Sequence, residues 1–312
     1  MSNLRNRSFV TAMFVFSGAA LSISNAALAQ DGGEGTDPYA SLPGQLVLTG
    51  VVRDFKERSV AGGHTDFELN PSGGFGHFAY IVADQLDSEG KPVFNSAGRK
   101  VTANWKDSKG NIVMPPRAHL PMPAGGTAGS VSSSLGGQVI SSESFSQWFR
   151  DVPGVNMSAP LAITLVRQAN SNVYTFNDKT DPLYSTKGGF FPINGQMYGN
   201  SLNNDKNFHF TYELDTEFTY KAGTGQVFKF VGDDDVFVFI DGKCVVDIGG
   251  IHGAVTQTVN LDNMAGLQDG HKYNLKFFFA ERHRTQSNFK IETTLELQNV
   301  ELPAVDGTYD EE

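Results

Sequence analysis

Cysteine is almost missing from this chain: 312 residues contain one, Cys244. A single thiol forms no intrachain disulfide, so stability has to come from a large core or a bound ion. Cys244 lies in the strand-like run Lys243-Cys-Val-Val246 and reads as a small buried core residue. Basic runs are missing too, and the formal charge is −10. That makes nucleic acid and anionic membrane surfaces poor partners and suits divalent cations and neutral, hydroxyl-rich ligands. After the first thirty residues no apolar run approaches the ~20 residues needed to span a bilayer. The chain has no G-x-S-x-G, no H-E-x-x-H, no zinc-type spacing and no separated pair of catalytic carboxylates. The expectation is therefore a protein that is not an enzyme. Long helical periodicities are also lacking.

The start of the chain reads as an address. Arg5 and Arg7 precede an apolar stretch opening at Phe9, and Ala27-Leu28-Ala29 supplies a small-residue cleavage site. Residues 1–29 are expected to be a cleavable signal peptide that directs secretion, to the periplasm or the cell exterior. Removing 29 of 312 residues leaves 283, and losing two arginines and no acid moves the charge from −10 to −12. Residues 30–45 read as a flexible leader. Beyond them, 34 glycines and 24 phenylalanines accompany many short runs of period two, which points to an all-β fold. Asp87–Gly90, Asn95–Gly98 and Asp107–Gly110 suggest hairpins across residues 78–114. Residues 115–141, rich in Pro, Gly and Ser, read as a long surface loop or a linker. Phe145, Trp148 and Phe149 fall at i, i+3, i+4, a short helix with a core face. Asp241-Gly242 marks a type I′ hairpin. Residues 298–312 read as an unstructured acidic tail.

Chemistry concentrates at Gly232-Asp233-Asp234-Asp235, between Gln226-Val-Phe-Lys-Phe-Val231 and Val236-Phe-Val-Phe-Ile240. Three adjacent carboxylates beside buried strands repel one another and are costly to desolvate, and a cation among them relieves both penalties. Hard oxygen ligands without thiolate or paired imidazole favour Ca²⁺. The run is not an EF-hand, because continuous strand follows it. His252 and His283 form a second grouping, with His252 expected to bond Asp247 or Glu281. Arg282 with Glu281, and Arg53 with Asp54, read as local ion pairs.

Gly232-Asp-Asp-Asp-Val-Phe-Val-Phe-Ile-Asp-Gly-Lys243 followed by Asp247-Ile-Gly-Gly-Ile-His-Gly253 resembles the signature of the fibro-slime domain, a branch of the PA14-like β-sandwiches. Agreement extends to Gly50-Val-Val-Arg-Asp-Phe55, Phe149–Asn156, Phe190–Ile193, Asn207–Thr211 and Phe279–His283, covering about residues 46–297. The resemblance implies a PA14-like β-sandwich or barrel with long loop insertions and one or two short helices, in an extracellular adhesion or slime-matrix setting. It implies Ca²⁺ held by Asp233 and Asp234, joined by a cis peptide, with Asp235 adding a ligand or crowding the ion. Asn288 would be a further ligand, with Ser287 or Glu281 in reserve. Gly250, His252, Glu281 and Ser287 would shape the binding pocket. Expected partners are an extracellular polysaccharide or glycan; the other reading is a structural matrix or surface-assembly protein whose metal only stabilises.

Overall fold

The computed structural model describes residues 37–300. The expected signal segment and residues 301–312 of the expected tail lie outside the described residues. In chain order the strands are β1 (Gln45–Phe55), β2 (Phe78–Ala79), β3 (Arg99–Ala103), β4 (Trp105–Lys106), β5 (Ile112–Val113), β6 (Ser130–Leu135), β7 (Asn156–Arg167) and β8 (Tyr174–Asn177). They continue with β9 (Phe210–Thr219), β10 (Val227–Gly232), β11 (Asp235–Ile240), β12 (Lys243–Ile248), β13 (Val255–Asn260), β14 (Lys272–Glu281), β15 (Phe289–Thr293) and β16 (Gln298–Asn299). One five-residue helix, α1 (Ser142–Ser146), precedes β7.

The main sheet runs β12-β11-β14-β9-β1-β7-β8-β15-β10-β13, with β16 beside β9. Its two ends meet through a side chain. The Gln257 amide of β13 donates to the Asp247 carbonyl of β12 and accepts from the Asp247 N–H, both at 3.0 Å. Gln257 is 1% exposed, so this staple stands where a ladder rung would otherwise close the sheet. The result is a nearly closed antiparallel barrel, the all-β architecture that the composition predicts.

β11 departs from alternation: all six of its residues are buried. Both of its faces are covered, which removes the polar-out rule for antiparallel strands. Towards the barrel interior, Phe277 and Phe279 of β14 pack with Phe230 and Phe289. On the outer face, the segment carrying α1 lays Phe145 against Phe237 and Phe149 against Phe278. The i, i+3, i+4 aromatic stripe is thus core, as its spacing predicts, and a Ser141/Ser144 capping box starts its helix. β15 keeps the expected alternation, with Phe289 and Ile291 in and Lys290 and Glu292 part-exposed. Asp241 and Gly242 take φ of 51° and 70°, the two positive values a type I′ turn requires. Cys244 is buried.

Four expectations about chain organisation need correction. Residues 37–45 are tied down: Asp37 pairs with Arg167 at 2.8 Å and the Tyr174 hydroxyl donates to the Pro43 carbonyl. At the other end, Gln298 and Asn299 pair with β9. The 115–141 stretch is no simple surface loop. It contains β6, which pairs with β3, and it drives Arg117 into the protein, where the guanidinium meets Asp247 at 2.9 Å and Asp84 at 2.6 Å. Buried charge and Val139, 2% exposed, hold a segment whose Pro/Gly/Ser content alone suggests a linker. Of the three turn signals, only Asp107–Gly110 closes a strand hairpin, β4 with β5. Among the described residues no helix is long and apolar enough to cross a membrane.

Candidate functional site

The Asp run lies where β10 passes into β11, at one end of the barrel. Asp233, Asp234 and Asp235 are 2%, 3% and 0% exposed, and the Asp233–Asp234 peptide is cis. Each carboxylate has a different set of partners. Asp233 faces the start of β15: its Oδ2 accepts from Asn288 Nδ2 at 2.9 Å, and its Oδ1 accepts from the Asn288 N–H. Asp234 Oδ1 accepts from the His252 N–H at 3.0 Å, and Oδ2 from the Arg282 N–H at 3.2 Å. Asp235 turns inward, accepting from the Gly250 N–H at 2.7 Å and from Arg282 Nε at 2.6 Å. Every oxygen of the three carboxylates thus accepts a hydrogen bond from the protein, and Asp233 and Asp234 also line a cleft of about 330 Å³ with Phe75, Ile251, His252, Gly253 and residues 283–286.

The loops after β12 and β14 meet at this cleft, as the site reading requires. Gly250, His252 and Asn288 all touch the Asp run. Glu281 is fully buried beside it, and neither of its carboxylate oxygens has a hydrogen-bond partner among the described residues. The Ser287 hydroxyl donates to the Phe190 carbonyl at 2.8 Å. Close approach of β10 and β15 depends on Gly232. A Cβ there would sit 2.2 Å from the Asn288 carbonyl oxygen. Gly232→Ala is expected to push Asn288 off Asp233 and cost about 1–3 kcal/mol, the usual range for overpacking. Denaturant unfolding would measure it, and an unchanged midpoint would show that the two strands can separate freely.

Charge is unbalanced here. Asp233, Asp234, Asp235 and Glu281 are four buried carboxylates, and the one guanidinium among them belongs to Arg282, itself 0% exposed. Burial pushes Asp233, Asp234, Asp235 and Glu281 above the usual carboxylate range. For Asp234 and Glu281 the rise is large, and neighbouring acids add to it. Arg282 bonds Asp235 rather than its neighbour Glu281, and Nη1 reaches the carbonyls of Asp66 and Gln138, both at 3.1 Å. Its guanidinium also lies 4.7 Å from the Trp148 ring centre. The local-pair expectation fails for Arg53 as well, which binds Asp151 and Glu213, while Asp54 accepts from Tyr198 and Asn207. In both cases the adjacent acid projects elsewhere; Arg53 and Asp54 are neighbours within β1, where alternation demands it.

The histidine grouping is also rearranged. His252 Nδ1 meets the Gly253 carbonyl, Asp247 is taken by Arg117, and His283 packs against Phe75 at 4.9 Å and approaches Glu68. The ring beside His252 belongs to His77, 5.8 Å away.

Among the described residues no three His, Cys, Asp or Glu side chains converge as a metal cage. A cation here would take Asp233 and Asp234 as its acidic ligands and complete its shell with amide, carbonyl or ligand oxygens. That low-charge, all-oxygen set is of the ligand type Ca²⁺ accepts. Sequence reasoning missed Asp66, Glu68 and Phe75. Phe75 had a signal: an aromatic ring between glycines in Gly73-Gly-Phe-Gly76 packs little locally, and it is 48% exposed in the structure.

Comparison with known proteins gives several curated relatives from Dictyostelium discoideum, psiD, psiQ and psiR among them. Protein psiD is 34% identical over 260 residues, 81% of this chain and 42% of its own length. Protein psiQ is 39% identical over 57% of this chain and 19% of its own, and protein psiR 42% over 48% and 15%. The chain thus spans less than half the length of these relatives. Among solved structures, a PA14 sugar-binding domain from an RTX adhesin is 21% identical with a TM-score of 0.21, covering 32% of this chain and 52% of that one. The PA14 domain of an antifreeze protein, MpAFP, is 15% identical with a TM-score of 0.22, covering 35% and 51%. Neither overlap is extensive enough to carry an argument. Residues 168–307, which include the Asp run, the 249–253 loop and Asn288, match the family model of the PA14 domain.

Proposed function

We propose that the protein is an exported adhesion module of the fibro-slime branch that binds an extracellular glycan through Ca²⁺ held at Asp233 and Asp234. The observation that carries this reading is the buried excess of carboxylate over guanidinium, opening on a cleft whose rim is loop. A bound Ca²⁺ supplies positive charge and coordination positions open to vicinal sugar hydroxyls. The chain's own residues do the rest. Asn288 fixes Asp233 through two hydrogen bonds. The His252 and Arg282 N–H groups fix Asp234. Asp235 and Arg282 form the inner brace that keeps the loop in place. Phe75 presents an apolar ring at the cleft, a surface for the C–H face of a pyranose.

The test is a calcium titration read by thermal unfolding, followed by glycan binding with and without chelator. A calcium-dependent rise in Tm and chelator-sensitive binding are expected; flat responses in both would end the reading. Phe75→Ala is expected to weaken glycan binding roughly tenfold, from about 1.5 kcal/mol of apolar contact. The calcium shift should be unchanged. Equal binding by the variant would remove Phe75 from the contact surface.

A further inference from the structure

Two imidazole nitrogens in this molecule are buried without a partner. Among the described residues, Nε2 of His77 and Nε2 of His252 make no hydrogen bond, and both atoms are shielded from solvent. An unsatisfied buried polar atom costs about 1–3 kcal/mol, and two of them in adjacent rings call for a common explanation. The ring centroids are 5.8 Å apart, with the planes at 73°.

We propose that His77 and His252 form a two-imidazole site for a borderline transition-metal ion of the copper(II), nickel(II) or zinc(II) class, separate from the carboxylate site. The span fits. A metal–nitrogen bond of ~2.0–2.1 Å plus about 1.1 Å from nitrogen to ring centre gives each arm ~3.2 Å. Two such arms set their centroids ~5.2 Å apart at a tetrahedral angle and ~6.4 Å apart in line. The observed separation lies between these limits.

The tautomer fits as well. A carbonyl only accepts, so His252 Nδ1 must donate to the Gly253 carbonyl at 2.8 Å, which leaves the lone pair on Nε2.

The backbone holds the pair ready. The Phe78 N–H donates to the Gly249 carbonyl at 2.6 Å and the Gly76 N–H to the Ile251 carbonyl at 2.8 Å. The His77 segment is thereby zipped to the 249–252 loop on both sides. Imidazole pairs select this metal class over calcium, and neither side chain supplies oxygen to the Asp run. The two sites therefore differ in ligand chemistry while sharing one loop.

The experiment uses the full chain, free of any tag and stripped with chelator, titrated with copper(II) and followed by electron paramagnetic resonance. The expected result is one equivalent of copper with hyperfine structure from two nitrogens. His77→Gln and His252→Gln should each remove that pattern. Each should also weaken binding by more than the roughly 10–100-fold that loss of an outer-shell partner costs. His271→Gln, at an exposed histidine, should change nothing. Absence of the two-nitrogen signal in the unaltered protein overturns the proposal, whatever the variants do. So does its survival in folded His77→Gln. Calcium-induced stabilisation should persist in His77→Gln, so failure of the calcium reading and failure of this one are distinguishable.

Discussion

Arg282→Met is expected to destabilise the protein by about 3–5 kcal/mol, the range for removing one partner of a buried ion pair. For a domain of this size that is a fall of roughly 6–20 °C in Tm. Methionine keeps much of the side-chain length, so cavity formation contributes little. The loss is electrostatic and polar. Asp235 keeps only the Gly250 N–H as a partner, in surroundings that already raise its pKa by burial. The carbonyls of Asp66 and Gln138 each lose the Nη1 donor. Arg282→Lys should recover only part of the loss, because one ammonium cannot reproduce the planar fork that serves Asp235 and two carbonyls together. Adding Asp235→Asn to Arg282→Met should restore stability, since the stranded charge is then gone. Denaturant unfolding of the three variants checks all of this. A change below about 1 kcal/mol for Arg282→Met would show that water reaches Asp235 and screens it.

How far the sequence reveals this arrangement depends on distance along the chain. The hairpin at Asp241-Gly242, the aromatic face of Phe145, Trp148 and Phe149 and the alternation in β15 are written in neighbouring residues. Their physics is local, and the structure has them. The Asp run is legible for the same reason: charge beside a strand so apolar is conspicuous. Its partners are another matter. Asp235 binds Arg282, 47 positions away, and Arg282 reaches back to Asp66, 216 positions away. Sequence adjacency suggested Glu281 and returned the wrong pair, because β14 ends at Glu281 and the chain carries the Arg282 guanidinium to Asp235 instead. The same failure explains His77, which joins His252 only because Phe78 pairs with Gly249. Composition misleads where tertiary contacts override it. Residues 115–141 look like linker, yet Arg117 is anchored by Asp247, 130 positions away. The wholly buried β11 carried a usable clue. After Asp235 it is apolar at every position, so both of its faces had to be covered, and the layer outside it comes from the segment of Phe145 and Phe149.

Asp234→Asn is expected to be more stable than the unaltered protein without calcium and less stable with it, two effects of opposite sign. Without metal at neutral pH, Asp234 is a charge that its surroundings disfavour. Burial is the main cause; Asp235 and Asp233 add to it, and Arg282 opposes it only in part. A group whose folded pKa is raised binds its proton more tightly in the native state than in the unfolded chain. Holding it ionised therefore weakens folding. Asparagine has nearly the same shape and no charge, so the metal-free variant should be more stable than the unaltered protein. One hydrogen bond opposes the gain. The amide oxygen can keep either the His252 or the Arg282 N–H, while the NH₂ confronts the other donor, a loss of about 1 kcal/mol. With calcium the order inverts. An ion present at a hundredfold excess over its Kd stabilises a folded protein by about 2.7 kcal/mol, and the variant should forgo most of this along with glycan binding. Thermal unfolding in chelator and in millimolar calcium measures both signs in one pair of scans. If Asp234→Asn were less stable in chelator and still responded fully to calcium, the carboxylate would be holding the loops together rather than an ion.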